Sequence, residues 1–211
     1  MSTKIIIGMV SACALLAGCG GGGGSSATSS GTEEFVGFMP TNALFNQQDN
    51  GVFGPAGEIA FATGFTETNV LQARAVAGIQ FEDVGSAGSG TGTFNGLYGF
   101  GVMEDVVRTE TEISGFPAQS IGNVFLNVDF ASGSLTGTGS STDGIQSDIV
   151  VNGSISGRSL SGDVAVNYVT PSATTTFLST TLDGVVGENG AVGVFHGSDD
   201  NSALAGGFVA Q

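Results

Sequence analysis

The sequence predicts an all-β protein: a small eight-stranded antiparallel β-barrel preceded by a short irregular or β handle-like region. Three observations carry this. Gly supplies 37 of the 211 residues, and each Gly inside a helix costs about 1 kcal/mol relative to Ala, which argues against long helices. Apolar and polar residues alternate in run after run through the C-terminal half, the period of a strand with one wet face. Gly, Asn, Asp and Ser gather between those runs, where hairpins need turn residues. A hydrophobic fraction of 40% with 15 Phe provides a core, which a disordered Gly-rich chain would lack.

Residues 1–18 read as a lipoprotein signal peptide. Lys4 gives the positive start, Ile5 to Leu16 a short apolar run, and small residues follow, the pattern of a secretory signal too short to span a bilayer. The run ends Leu15-Leu16-Ala17-Gly18-Cys19 and closely resembles the bacterial lipobox. That resemblance implies cleavage before Cys19, acylation of its thiol (palmitate being a typical chain) and a Gram-negative outer-membrane location, since Gly20 stands where Asp would signal inner-membrane retention. Lipid attachment at Cys19 is the one site expected. Cys13 is removed with the signal, leaving no free thiol for a disulfide. Two or three acyl chains, at about 0.8 kcal/mol per buried methylene, hold a protein firmly on a membrane.

Residues 19–32 are the lipidated Cys and a Gly/Ser-rich tether, because Gly20 to Thr32 contains only Gly, Ser, Ala and Thr. Such a chain reaches about 20 Å. It follows no strand, opens no helix and has no Lys, so it is not a phosphate loop.

Residues 33–89 form a handle-like or additional β segment. Phe35, Phe38, Leu44, Phe45, Val52 and Phe53 lie among Pro40, Asn42, Asn50, Gly51, Gly54 and Pro55, which suggests short irregular pieces and turns. Ile59, Phe61 and Thr63 alternate with smaller residues. From Leu71 to Glu82 the period of two is sustained and predicts one long strand.

Residues 90–211 form the barrel domain. Eight runs are expected: Phe94 to Val102, Val124 to Phe130, Leu135 to Gly139, Ile149 to Ser156, Asp163 to Tyr168, Leu178 to Val186, 190–197 and 203–210. Eight short runs joined by turns suit an up-and-down barrel or a sandwich. Gly inside the runs favours the barrel, which needs close packing and curvature.

Three segments carry a further resemblance. Gly92-Thr93-Phe94-Asn95-Gly96-Leu97-Tyr98-Gly99, the hairpin Val128 to Gly137, and Gly193-Val194-Phe195-His196-Gly197 with Ala203 to Phe208 are similar to the barrel domain of the transferrin-binding protein B family of surface lipoproteins. The resemblance covers residues 90–211 and agrees with the lipobox and tether. It implies a surface-anchored binding or interaction module. Members with two lobes each carry a handle and a barrel, whereas this chain has room for one lobe. The family binds through variable loops, so no functional residue is transferred.

Other classes find little material. Only 4 Lys and Arg stand against 19 Asp and Glu, a net charge of −15, which excludes a nucleic-acid partner because phosphates require clustered cations. A transmembrane barrel needs aromatic girdles, yet there is no Trp and there are 2 Tyr, while Asn152, Ser154, Ser156 and Asp163 occupy the outward phase and Gln211 stands where such barrels close on an aromatic residue. A β-solenoid would show a fixed repeat, and the turn spacing is irregular. No enzyme activity, cofactor or metal is expected. The lone His196 reads as a strand histidine at the barrel rim, Asp199-Asp200-Asn201 as a solvated tip, and Glu104-Asp105, Arg108, Glu110 and Glu112 as an exposed charged loop.

The expected function is therefore that of an outer-membrane, cell-surface lipoprotein. Its membrane contact is the lipid at Cys19, and its protein partner or small ligand is not encoded in any motif. A structural envelope lipoprotein and a lipocalin-like carrier of a small hydrophobic molecule such as haem are the alternatives. Eight strands enclose just enough room for side chains or one small ligand, and the abundance of inward Phe, Leu and Val favours a filled interior. Binding then falls to loops and rim, above all the acidic connection from Glu104 to Ile121.

Overall fold

Alternation in the C-terminal half produces a closed barrel. The computed structural model describes residues 34–38, 45–65, 70–109, 113–169, 175–198 and 201–211. The barrel strands are β5 (Thr91–Arg108), β6 (Ile113–Asp129), β7 (Ser134–Gly144), β8 (Ser147–Ser156), β9 (Ser159–Val169), β10 (Thr175–Val186), β11 (Ala191–Ser198) and β12 (Ala203–Ala210). Each pairs antiparallel with its sequence neighbour, and β12 closes on β5 from Ala210 opposite Gly96 to Ala203 opposite Met103. All eight expected runs are strands of this barrel. Closure removes the free edges that would otherwise recruit other chains.

Alternation also sets the faces. Val128 and Val166 are buried, Asn127 is exposed and Asn167 is half-buried on the outside. One cluster fills the interior from every strand, including Phe94, Leu126, Leu135, Ile149, Leu160 and Leu182. Inward glycines let the wall bend: a Cβ at Gly96 would strike the Val209 carbonyl, and one at Gly162 the Asn152 carbonyl. The β6–β7 turn is held by the Asp129 carboxylate, which accepts from the Ala131 and Ser132 amides at 2.9 and 3.1 Å. Those bonds, Ser132 first, hold its pKa below the ordinary carboxylate value.

Ahead of the barrel lies a regular sheet, where short irregular pieces were expected. Strands β1 (Glu34–Phe38), β2 (Phe45–Gly54), β3 (Gly57–Phe65) and β4 (Leu71–Ile79) form a four-stranded antiparallel sheet in the order β1-β4-β3-β2. Asn50, Gly51 and Gly54 belong to an edge strand, not to separate turns, and the β2–β3 hairpin turns at Pro55 and Ala56. The strand predicted to run to Glu82 stops at Ile79. After it, Phe81–Val84 makes a single helical turn, α1.

The buried face of this sheet packs on the outside of the barrel. Ile59, Phe61, Ala73, Ala75 and Ala77 form a second cluster with Val192, Val194, Ala205 and Val209 of β11 and β12. Small outward residues make the contact possible. A Cβ at Gly99 would meet Val52, one at Gly207 would meet Ile59, and Gly101 lies beside Phe61. Backbone bonds pin the segment after the sheet to the barrel: the Glu188 and Asn189 amides donate to the Ser86 and Val84 carbonyls at 2.9 and 3.0 Å.

Candidate binding surface

Inside the barrel, side chains occupy the space a ligand would need. Tyr98, Phe100, Phe195 and Phe208 are 0% exposed and Tyr168 is 1% exposed. Tyr98 stacks near Phe100 at 6.3 Å, and Phe100 meets Tyr168 at 6.1 Å. The Tyr98 hydroxyl is satisfied across the barrel by the Ser147 hydroxyl at 2.9 Å, which in turn bonds the Ser120 hydroxyl at 2.7 Å. Burial pushes the Tyr98 pKa above 10. The filled interior expected from inward Phe, Leu and Val is the observed one.

The connection from Glu104 to Ile121 is different from the expected loop. β5 continues to Arg108 and β6 begins at Ile113, so most of it is a paired hairpin arm. The arm outruns its neighbours: β12 pairing ends at Met103 and β7 pairing begins at Ser120. A bulge between Glu104 and Val107, with Asp105 at φ +51°, shifts the alternation. Glu104 and Val106 are thereby buried, while Val107 and Phe116 are exposed. That shift is why the segment's acidic residues do not read as strand. Pro117 sits on the uncovered edge, where its missing N–H discourages further strand pairing.

Among the described residues, the second cluster leaves the outer wall of β6 to β9 without a packed layer. Register sets its rows. One contains Leu97, Asn123, Ser140, Asp148 and Asn167; the next contains Asn95, Phe125, Thr138, Val150 and Ala165. Neither row holds a Lys or Arg. Leu97, Phe125 and Val150 are 40–41% exposed among neighbours that are mostly amides, hydroxyls and Asp. They line a shallow recess of about 900 Å³. These residues went unnoticed in the sequence because Phe125 and Val150 lie inside apolar runs. The available signal was their outward phase, between Val124 and Leu126 and between Ile149 and Val151.

His196 is half-buried on the outer face of β11, opposite Thr181. Burial lowers its pKa below 6.5, opposed by the charge of Asp183. Thr181 also lies opposite Asp163, so this register row runs Asp, Thr, His. A nucleophilic relay needs the imidazole in the middle, and this order does not provide it. Among the described residues, no group of three or more His, Cys, Asp or Glu could hold a metal ion. Cys19, Asp199, Asp200, Glu110 and Glu112 lie outside the described residues.

No protein-family model and no curated protein matches the chain. Solved structures do. The chain is similar in fold to transferrin-binding protein B. The isotype 1 protein from serogroup B Neisseria meningitidis aligns with a TM-score of 0.47 and 14% identity, over 82% of this chain and 36% of that one. A double mutant of the protein from Haemophilus parasuis Hp5 aligns at 0.43 and 15%, over 78% and 36%. A crystal structure of a surface lipoprotein aligns at 0.42 and 11%, over 72% and 76%. This chain thus spans little more than a third of the length of the two transferrin-binding protein B chains.

Proposed function

We propose that the chain is a lipid-anchored surface lipoprotein of the outer membrane whose barrel is a rigid binding module for a macromolecular partner. One observation carries this reading. Five fully buried inward aromatics, Tyr98, Phe100, Tyr168, Phe195 and Phe208, close the interior, so recognition is left to the outside. The filled barrel argues against a small-molecule carrier. The lipobox at Cys19 and the Gly/Ser-rich tether that follows it suit a module presented on a membrane.

The anchor and the partner have separate tests. Cys19→Ser is expected to abolish incorporation of labelled fatty acid and to leave the precursor uncleaved; continued labelling would remove the anchor. Chemical cross-linking on intact host cells is expected to join the barrel to a discrete protein, with the bond suppressed by added soluble barrel protein. A cross-linking pattern unchanged by that competitor would count against a binding module.

A further inference from the structure

We propose that the uncovered wall of β5 to β8 docks a Lys/Arg-rich segment of another protein, anchored by an apolar side chain in the recess between Leu97, Phe125 and Val150. This deepens the binding-module reading and rests on it. The sheet β1 to β4 covers the barrel at β11, β12 and the adjoining parts of β5 and β10, and the outward residues there are Gly, Ala and Val with Met103. The free wall has a different composition. Its outward phase is mostly Asn, Ser, Thr and Asp, and its large apolar members on these rows are Leu97, Phe125 and Val150, with half-buried Ile121 in the next row.

Isolated exposed hydrophobes need no explanation; three lining one recess do. Directly paired residues lie about 5 Å apart and diagonal ones about 7–8 Å apart, so Leu97 and Phe125 are diagonal neighbours and Val150 is separated from Phe125 only by Thr138. An apolar centre ringed by Asn123, Thr138 and Asp148 has the anatomy of a protein-binding hot spot with a polar rim.

Charge selects the occupant. Asp148 borders the recess, and the next row adds Asp163 without a Lys or Arg. A second copy of a chain with net charge −15 brings the same sign to the contact, as do nucleic acids and anionic lipid headgroups. A basic segment gains attraction during encounter and pairs its cations with the rim carboxylates.

The test pans a displayed library of random 12-residue peptides on the full lipoprotein in detergent micelles, with a Phe125→Ser/Val150→Ser variant as counter-selection. Both positions are exposed, and an unchanged melting temperature confirms that the variant folds. Enriched peptides are expected to combine Lys or Arg with a large apolar residue. They should lose about tenfold or more in affinity on the variant and severalfold on Asp148→Asn, with a reduced salt dependence in the latter. Enrichment of uncharged peptides, absence of any enrichment, or occupation of the recess by a member of a neutral glycan array would overturn the proposal. Cationic peptides indifferent to the wall variants but lost on Phe116→Ser would place binding on the hairpin arm. That result overturns the wall site and leaves the binding module standing, whereas failure of the cross-linking experiment removes the module itself.

Discussion

Val128, 2% exposed, and Val166, 0% exposed, point into the barrel, so a charge at either position has no water and no partner. Val128→Asp and Val166→Asp are each expected to cost several kcal/mol, on the order of an unpaired buried charge, while Asn127→Asp on the outer face should change stability by about 0.5 kcal/mol or less. Urea unfolding of the three variants checks this; equal damage from inward and outward changes would contradict the assigned faces. His196 gives a pH signature. Its pKa is lowered in the folded chain, chiefly by burial, so the unfolded chain takes up the proton first as pH falls. The stability it contributes is complete above about 6.5 and is lost as pH drops toward the folded value. His196→Gln should flatten the dependence of the melting midpoint on pH through that window. An unchanged slope would mean that other groups produce it.

At the scale of elements, the barrel was legible and, of the sheet ahead of it, the strand from Leu71 was, whereas β2 was not, for a physical reason. Strands such as Val124, Leu126 and Val128 pack one face and wet the other, so a period of two marks both existence and register. In β2, Asn50, Gly51 and Gly54 carry turn chemistry, and a register shift between Phe45 and Gln48 interrupts its pairing. β3 is buried through Phe61 to Phe65 on both phases, which erases the alternation. The contact between sheet and barrel was equally hidden, since Gly99 and Gly207 read as residues serving barrel curvature until Val52 and Ile59 are seen beside them. The outward apolar trio Leu97, Phe125 and Val150 was visible in principle, but only once the phase of each strand was fixed. Gly99→Val, whose added Cβ meets Val52 and Phe61 of the sheet, should therefore loosen the sheet from the barrel without opening the barrel. Limited proteolysis is expected to cut residues 34–79 faster in this variant while 91–210 stays intact; simultaneous loss of both would show that the two layers unfold as one.

For the whole molecule, composition and the proposed anchor combine. Lys4 is the only Lys, and Arg74, Arg108 and Arg158 are the only Arg, against 19 Asp and Glu. A chain cut before Cys19 and acylated on its α-amino group therefore has no primary amine. An amine-selective acylating reagent is expected to leave the mature lipoprotein unlabelled, and a single label would indicate a free N-terminus at Cys19. The same imbalance predicts that association with a basic partner slows as salt rises from about 0.05 to 0.5 M and the screening length falls below about 10 Å.

The proposed recognition on the outer surface rests on the filled interior. Native mass spectrometry of the mature lipoprotein, gently extracted from its host, tests it most directly. The expected mass is that of the chain from Cys19 with its acyl groups and nothing else bound. A small hydrophobic molecule retained at one copy per chain, and displaced only when the barrel unfolds, would contradict it.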